Sequence, residues 1–483
     1  MHYAIIFRVL GILLMLFSLT LLPPIGVSLW YHDQAVNAFF YSFLIIFGCG
    51  FLLWLPVYNN QQDLRTRDGF LITALFWSVL GLAGSLPLMI NEVSHLSLVD
   101  AVFEAISGLT TTGATVIIGI DELPLSILYY RQQLQWLGGI GIVVIAVAIL
   151  PMLGIGGMQL YRAETPGPVK DSKLTPRIAQ TAKMLFLIYL FLTLTCAVAY
   201  KLAGMNWFDA VGHAYSTMST GGASTHDASV GFYGDNAAVI IICIVFMVLS
   251  SVNFALHFFS WRSRNPLHYL QDPECRFFLG CLLVGLVVTI CYLYFSGIYH
   301  FERSLLYGSF ELVSIMTTTG FGVADYSQWP TFLPFFLLML GIMGGCGGST
   351  TGGIKAMRVL LIYKQGIREI HRLIHPNAII PIKVGNKPVP DRVIEAVWGF
   401  FAIYVTCFMV MFLTLLATGL DFLTAFSAVG ACISNVGPGL GDVSLHYGAI
   451  NSTAKWVLCF AMLLGRLEVF TLLVLFTPAF WRR

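Results

Sequence analysis

The chain has little charge. Asp, Glu, Lys and Arg together account for 10% of its 483 residues, whereas hydrophobic residues account for 57%, and the mean hydropathy is +0.81. Soluble globular domains carry about 25% charged residues, so this composition excludes the soluble class and indicates a protein embedded in lipid. The formal net charge of +2 also argues against nucleic acid as a partner.

Motifs for catalysis and for metal binding are missing as well. The 10 cysteines form no CxxC pairs and have no accompanying histidines, which excludes a zinc site or a disulfide framework and favours small buried thiols. Neither an HExxH motif nor a pair of intramembrane carboxylates occurs. We therefore predict that the chain is not an enzyme and holds no organic cofactor.

Long apolar runs predict ten membrane helices, because about 20 residues suffice to cross a bilayer. We expect the first run to be retained and not cleaved as a secretory signal, since Pro23 and Pro24 follow it without a small-x-small cleavage site. The predicted spans are residues 9–30, 36–57, 70–90, 128–155, 183–203, 237–261, 277–297, 331–362, 393–418 and 453–480.

Lysine and arginine concentrate in the segments that lie inside if the N-terminus is cytoplasmic and the spans alternate. Arg466 lies in the middle of the last span, and the exceptions in the outside segments are Arg131, Lys201, Arg303 and Lys455. The positive-inside rule therefore predicts that both termini are cytoplasmic.

Four of the outside connections share one pattern. Each contains a stretch too short to cross the membrane, which ends in small hydroxyl residues and glycine. One such motif would indicate no more than an extracellular turn, but four copies between pairs of spans indicate a repeat. The copies read DAVFEAISGLTTTGAT from Asp100, DAVGHAYSTMSTGGAST from Asp209, YGSFELVSIMTTTGFG from Tyr307 and TAFSAVGACISNVGPG from Thr424.

We predict an all-α polytopic membrane protein with four tandem units around one pore, plus two N-terminal membrane helices. Each unit consists of a helix, a re-entrant half-helix and a second helix. Small residues in the second helices, at Gly138, Ser250, Gly345 and Gly465, would allow close helix packing. The predicted boundaries are 1–69 for the N-terminal pair, 70–163 for unit 1, 164–262 for unit 2, 263–365 for unit 3 and 366–483 for unit 4.

The short stretches have the chemistry of a cation filter. A half-helix that enters from outside directs the negative end of its dipole towards the membrane centre. Extended backbone after it presents carbonyl oxygens that replace the water shell of an ion, and glycine permits the required dihedral angles. The predicted filter residues are Thr110, Thr111, Thr112 and Gly113; Ser219, Thr220, Gly221 and Gly222; Thr317, Thr318, Thr319 and Gly320; and Ser434, Asn435, Val436 and Gly437.

No ring of acidic residues stands at the filter, which argues against a pore that selects calcium by side-chain charge. Glu104 and Glu311 occupy equivalent half-helix positions, where the other copies have His213 and Ala428. These carboxylates either orient the filter or attract cations at the mouth, or they form hydrogen bonds behind the half-helices. We favour the hydrogen-bonding role, because they precede the filter by six or more residues.

The second helix of unit 3 contains a glycine cluster. Because each glycine costs about 1 kcal/mol relative to alanine in a helix, we predict a break inside the membrane that forms a flexible plug. A nucleotide-binding P-loop is excluded, since Gly353 stands where that motif needs lysine. The predicted plug comprises Gly344, Gly345, Cys346, Gly347, Gly348, Ser349, Thr350, Thr351, Gly352 and Gly353.

Arg466 lies within a span, where a charge is expensive and indicates a functional site or a polar partner. One interpretation is a cationic barrier below the filter. The other is an arginine that is hydrogen-bonded to carbonyl groups of the broken helix, and the two roles are compatible. Glu468 points to another face of the helix and would not neutralise it.

The motifs TTTGAT, STGGAST, TTTGFG and SNVGPG, together with the glycine-rich loop, resemble the Trk/Ktr/HKT superfamily of cation transporters over the whole chain. The closest resemblance is to the TrkH/TrkG group of bacterial potassium-uptake subunits. It implies uptake of potassium and rubidium across the bacterial inner membrane, potassium ions at the filter residues, a gating role for the plug at residues 344–353, a homodimer, and a TrkA-type cytoplasmic regulatory subunit that binds NAD or ATP.

Two further points remain open in the sequence. The basic segment 355–392 would suit either anionic membrane lipid or a docking partner. A proton-coupled or sodium-coupled secondary transporter is the alternative to a gated pore, although repeats of one orientation favour the pore.

Overall fold

Helices form nearly all of the regular structure in the computed structural model, which describes residues 2–59, 66–141 and 178–482. Among these residues the only strands are Lys383–Val384 and Lys387–Pro388, which pair as a short antiparallel hairpin. A helix satisfies its own backbone groups, so this content is the one expected of a chain that crosses lipid. It confirms the predicted all-α class.

Two N-terminal helices precede the repeat. The first comprises Tyr3–Leu19 and Leu22–Tyr31, and the second is Val36–Trp54 with a 3₁₀ turn at Leu55–Val57. They cross at Gly11 and Gly50, where an added Cβ on either residue would lie closer than 3.0 Å to the other's carbonyl oxygen. Small residues thus allow close backbone approach without side chains between the helices.

Each unit begins with a long helix and continues into a shorter pore helix, which corresponds to the predicted half-helix. The first helices are Thr66–Gly84 with Leu86–Ile90, Ile178–Leu202, Pro273–Phe295 and Asp391–Ala417. The pore helices are Leu98–Leu109, Trp207–Ser219, Phe301–Met316 and Phe422–Ile433.

The second helix is interrupted in every unit. It comprises Leu125–Trp136 and the π-helical Leu137–Gly141 in unit 1, Ala237–Ser250 and Phe254–Ser263 in unit 2, Phe332–Met343 and Ala356–Ile374 in unit 3, and Ser452–Arg466 and Phe470–Leu473 in unit 4. His268–Gln271, Pro478–Trp481 and the 3₁₀ turns Ile120–Glu122, Ser229–Tyr233, Tyr326–Gln328, Gly441–Val443 and Val474–Phe476 complete the described elements.

The predicted break in unit 3 is confirmed, but the prediction of continuous spans at 237–261 and 453–480 is wrong. Those helices bend by 97° and 110°. In unit 2 the Asn253 side chain caps the following segment; in unit 4, Glu468 and Val469 adopt left-handed backbone angles that end the helix. The end of the predicted span 128–155 and the predicted boundary at 163/164 lie outside the described residues.

The described helices have the length and apolar surface of a multi-pass membrane protein. Six of them are long and apolar enough to cross a bilayer, or eight if each bent pair counts as one span. Exposed leucines such as Leu52, Leu283 and Leu413 lie on the outward faces of three long helices, where lipid would cover them.

Candidate functional site

All four pore helices end in the same backbone motif. A residue in the left-handed region follows the last turn, and the next residue donates its N–H to the helix carbonyl five positions back. These are the hydrogen bonds of a Schellman motif, which satisfies carbonyl groups that would otherwise be free at a helix end. The bonds join Thr112 N to Ser107 O (2.8 Å), Gly221 N to Ser216 O (2.9 Å), Thr319 N to Ser314 O (2.8 Å) and Val436 N to Ala431 O (2.8 Å).

The left-handed residues occupy the positions that the sequence alignment matches. Left-handed angles are rare for β-branched side chains, so their recurrence in three of four copies points to a function. The residues are Thr111 (φ 56°), Thr220 (φ 53°), Thr318 (φ 56°) and Asn435 (φ 53°). The filter glycines two positions later are also left-handed, with φ of 78° at Gly113, 74° at Gly222, 79° at Gly320 and 95° at Gly437.

The filter glycines close the four strands into a ring. A Cβ added to any of them would lie closer than 3.0 Å to a carbonyl oxygen of the next unit's strand. The contacts run from Gly113 to Gly221 O, from Gly222 to Thr319 O, from Gly320 to Val436 O and from Gly437 to Thr112 O. The order is unit 1 to 2, 2 to 3, 3 to 4 and 4 back to 1, so all sixteen predicted filter residues are brought together.

Several hydroxyl groups of the predicted filter residues are already engaged in hydrogen bonds with their own pore helix or with each other. The Thr110 hydroxyl donates to Ile106 O at 2.7 Å and lies 2.8 Å from the Thr112 hydroxyl. Thr317 and Thr319 repeat that pair at 2.8 Å in unit 3. The groups that could hold a bare cation at the ring are therefore backbone carbonyls, in agreement with the chemistry expected of a carbonyl filter.

The two carboxylates on the pore helices lie behind the strands that leave the filter. Glu104 accepts hydrogen bonds from Val116 N and the Thr115 hydroxyl, each at 3.0 Å. Glu311 accepts from the N–H groups of the equivalent strand in unit 3, at 2.7 and 2.9 Å. Both side chains are buried. They hold the backbone just after the filter glycines of units 1 and 3.

Three residues that sequence reasoning missed also hold the filter. Arg131, which falls in an outside segment by the count of charges, is buried and donates to Glu104 at 2.8 Å. Gln135 donates to Gly221 O at 2.7 Å, and Tyr447 donates to Gly437 O at 2.7 Å. A signal for Arg131 exists in the sequence, because a buried carboxylate in a membrane needs a cationic or hydrogen-bonding partner.

Near the N-terminal end of the pore helix of unit 2, where its Nε2 lies 3.4 Å from Asp209 Oδ2, His226 joins units 1 and 2. Its Nδ1 lies 2.7 Å from Asp121 Oδ1, and Asp227 accepts a hydrogen bond from Ile120 N at 2.9 Å. Partial burial raises the pKa of Asp121, but the hydrogen bonds from His226 and Asp227 outweigh it and leave that pKa below its ordinary value. The carboxylate is thus stabilised as an anion above the filter.

The predicted gating segment, residues 344–353, lies against the C-terminal ends of three pore helices. The Thr350 hydroxyl donates to Met218 O at 3.1 Å in unit 2, and Gly352 N donates to the Thr318 hydroxyl at 2.8 Å in unit 3. A Cβ on Gly352 would lie closer than 3.0 Å to Ser434 O of unit 4. The loop thus contacts the underside of the ring.

Other contacts anchor the loop to the surrounding units. Glu274 accepts hydrogen bonds from Gly347 N at 2.7 Å and from Met357 N at 3.1 Å, so one carboxylate joins the loop to the helix that follows it. Cys346 N donates to Ser251 O at 3.0 Å. The loop therefore uses the carbonyl that the bend in unit 2 leaves free.

Arg466 lies between the loop and unit 1. It donates to Thr350 O at 3.1 Å, to the Thr111 hydroxyl at 3.3 Å and to Gly139 O at 2.7 Å. It also donates to Gly138 O. The guanidinium group is therefore hydrogen-bonded to carbonyl groups and at the same time carries a positive charge directly below the filter. Glu468 pairs with Arg358 at 2.5 Å.

Comparison with known proteins gives one result throughout. Residues 35–483 match the family model TrkH, described as a cation transport protein. The chain is similar to the Trk system potassium uptake protein TrkH of Halomonas elongata, with 58% identity over 100% of both chains, and to that of Escherichia coli K12, with 50% identity over 100% of both chains.

Its structure is similar to the crystal structure of the potassium transporter TrkH from Vibrio parahaemolyticus, with a TM-score of 0.91 and 50% identity over 100% of both chains. This likeness confirms the predicted fold class, and the matches confirm the predicted resemblance. The relatives are transport proteins and not enzymes. The chain belongs to the TrkH family of cation transport proteins.

Proposed function

We propose that this chain takes up potassium ions, and rubidium with them, across the bacterial inner membrane through the ring of four filter strands. The named relatives are potassium uptake proteins. The observation that carries the proposal is the closed order of contacts at Gly113, Gly222, Gly320 and Gly437. A ring made by four equivalent backbones presents carbonyl oxygens from every side to a single ion.

The physics of the ring favours a large monovalent cation. The four pore helices end at the ring, so their dipoles place partial negative charge there without a full carboxylate charge. Backbone carbonyls replace the water shell of potassium, whereas calcium sites rely on carboxylate oxygens. The nearest carboxylates, Glu104 and Glu311, bind backbone and do not belong to the ring.

We propose that the loop 344–353 and Arg466 form the gate. The loop contacts the underside of the ring at Gly352 and Thr350, and Arg466 donates to Thr350 O at 3.1 Å. A positive charge next to a path for cations raises the barrier to conduction, most strongly where water is scarce. Opening then requires the loop and the arginine to move together, because they are bonded to each other.

In our proposal, other chains control this gate. The protein acts as a homodimer with both termini in the cytoplasm, and a TrkA-type subunit that binds NAD or ATP regulates it. The relatives' names place them in a Trk system. The helix Ala356–Ile374 follows the loop directly, and Leu373 and Ile374 at its end are exposed. A partner that pulls on this helix would pull on the loop; its basic residues also suit anionic lipid.

The test is the replacement of one filter glycine. In Gly320→Ser, the side chain cannot fit without displacing Val436 O, and the left-handed angle disfavours serine. We expect the potassium-over-sodium permeability ratio to fall by about tenfold or more, which corresponds to about 1.4 kcal/mol. The measurement is the reversal potential in proteoliposomes under a potassium gradient, and then under a proton gradient to detect coupling.

Gly280→Ser is the matched control, because Gly280 lies in the first helix of unit 3 with open space where a Cβ would stand. It should leave the permeability ratio unchanged. A Gly320→Ser protein that inserts normally and keeps its permeability ratio would contradict the filter assignment.

A further inference from the structure

The left-handed residues at the base of the filter do more than end the pore helices. The Thr318 hydroxyl accepts a hydrogen bond from Gly352 N of the loop at 2.8 Å. The Thr111 hydroxyl accepts one from Arg466 at 3.3 Å, and the Thr220 hydroxyl lies 3.4 Å from that of Thr350. All three threonines therefore direct their side chains towards the proposed gate.

The fourth copy shows the opposite combination. Asn435 donates to the Thr112 hydroxyl at 2.9 Å and to Met462 O at 3.1 Å, so these hydrogen bonds of its amide lie within unit 4 and between units 4 and 1, although its Cβ lies next to Gly352 of the loop. Asparagine is also a residue that the left-handed region tolerates well, whereas threonine is disfavoured there. The unfavourable residue thus occurs in the three copies whose hydroxyl groups contact the gate.

This coincidence has a physical explanation. A backbone conformation that costs free energy persists when another interaction compensates for it. In these three copies the hydroxyl adds a hydrogen bond or close contact with the gate to the backbone hydrogen bonds that all four copies share. Asparagine at these positions would relieve the backbone but would place a larger amide where Gly352 and Arg466 now fit.

We infer that the hydroxyls of Thr111, Thr220 and Thr318 form a seat that holds the gate closed. This inference rests on the proposed function, because it assigns the seat to the same loop and arginine. The threonines are positioning residues for the gate and not ligands of the ion. Through them the filter and the gate share one set of residues, so the closed gate also stabilises the filter's left-handed turns.

Thr318 provides the sharpest test. Valine has the same branched shape as threonine, so Thr318→Val preserves packing in the left-handed turn but leaves Gly352 N without an acceptor when the gate is closed. A buried donor without a partner destabilises that state. We expect rubidium uptake by the purified chain alone in proteoliposomes to rise by about tenfold. Thr318→Ser retains the hydroxyl, so its uptake should rise less than that of Thr318→Val.

Thr289→Val is the matched control. Thr289 is fully buried in the first helix of unit 3, and its hydroxyl has no hydrogen-bond partner among the described residues. Its removal should leave uptake unchanged. Thr111→Val tests the seat independently from unit 1 if the Thr318 variant fails to fold, because it removes an acceptor of Arg466.

A double-mutant cycle separates the seat from the gate itself. We combine Thr318→Val with deletion of Gly347, Gly348 and Gly352, which shortens the loop. If the hydroxyl acts through the loop, valine adds no further uptake once the loop is shortened. Independent effects that multiply would overturn the proposed seat, and so would unchanged uptake in both valine variants.

A loss of potassium selectivity at unchanged uptake would assign the Thr318 hydroxyl to the filter instead of the gate. If shortening the loop alone fails to raise uptake, the gate in the proposed function fails.

Discussion

The ring of filter strands and the layer directly below it are built by the same four units. The ring has the same structure in all four units, whereas the layer below it differs from unit to unit. In the ring every unit repeats one backbone motif and one glycine contact. Below it the second helices differ: unit 1 has a π-helical segment, units 2 and 4 bend by 97° and 110°, and unit 3 opens into the loop after Met343. An ion that is surrounded evenly needs four like strands, whereas a gate needs one unit that can move against the others.

The difference begins where the second helices meet the ends of the pore helices. A Cβ on Gly138 would collide with Leu109 O, and one on Gly465 would collide with Ile433 O, which is the equivalent carbonyl in unit 4. The second helix thus touches the underside of the ring in both units. In unit 3 the loop occupies this level, and Gly352 contacts Ser434 O of the neighbouring unit. The loop, which only unit 3 has, is therefore in direct contact with the ring that all four units form.

The largest expected effect comes from Arg466, which joins the two layers. Arg466→Ala removes a charge below the ring and the hydrogen bonds to Thr350 O, Gly139 O and the Thr111 hydroxyl. Each hydrogen bond of a charged group contributes about 1.5–3 kcal/mol, so rubidium uptake by the chain alone should rise on the order of tenfold to a hundredfold. The melting temperature in detergent should fall, because the same bonds stabilise the fold.

Arg466→Lys separates the effect of the positive charge from the effect of the hydrogen bonds. Lysine keeps the charge but lacks the planar fork of donors that reaches several carbonyls at once. We expect uptake between that of the original chain and that of the alanine variant, with a lowered melting temperature. If lysine and alanine variants transport equally fast, the charge is no barrier; if both are slower than the original chain, the arginine is structural only.

The ring of four equivalent strands is the part of the structure that the sequence predicts best. Each copy contains its local determinants, a short apolar helix followed by hydroxyl residues and glycine, so alignment of the copies is enough to place Gly113, Gly222, Gly320 and Gly437 at equivalent positions. The break in unit 3 is predictable for the same reason, since its glycines lie in one continuous segment.

The remainder depends on contacts between distant residues. The bend of unit 2 contains neither glycine nor proline, and the Ser251 carbonyl that it frees is satisfied by Cys346 of unit 3. Arg131 resembles an exposed charge in the sequence because its partner, Glu104, lies on another helix. The ring closure itself pairs each strand with the next unit. Periodicity and residue type describe single segments, so they do not report such partners.

Shortening the loop should have the second-largest effect. It should change the layer below the ring and leave the ring itself unchanged. Deletion of Gly347, Gly348 and Gly352 removes the hydrogen bonds to Glu274 and to the Thr318 hydroxyl. At about 1 kcal/mol for each of these two bonds, uptake of rubidium by the chain alone should rise by about thirtyfold, while the potassium-over-sodium permeability ratio stays within about twofold of the original.

The control deletes three exposed residues, His375, Pro376 and Asn377, from the connection after the helix Ala356–Ile374. It should insert and transport like the original chain. A shortened loop that lowers uptake, or that lowers the potassium-over-sodium permeability ratio, would show that the loop supports the filter and does not block the path below it.

Glu274 gives the smallest expected effect and distinguishes the anchoring of the loop from its occlusion of the path. Its carboxylate accepts hydrogen bonds from Gly347 N at 2.7 Å and Met357 N at 3.1 Å, and both bonds use the same oxygen, Oε1. In Glu274→Gln the amide oxygen can still accept them, but without the charge that strengthens such bonds. We therefore expect rubidium uptake by the chain alone to rise by only about threefold, with an unchanged permeability ratio.

The matched control is Glu395→Gln, because Glu395 is an exposed residue at the start of the first helix of unit 4 and its replacement should have no effect. An effect of Glu274→Gln as large as that of the shortened loop would mean that the anchor, and not the contact with the ring, keeps the gate closed; no effect would leave the loop held by its contacts with the ring and with Ser251.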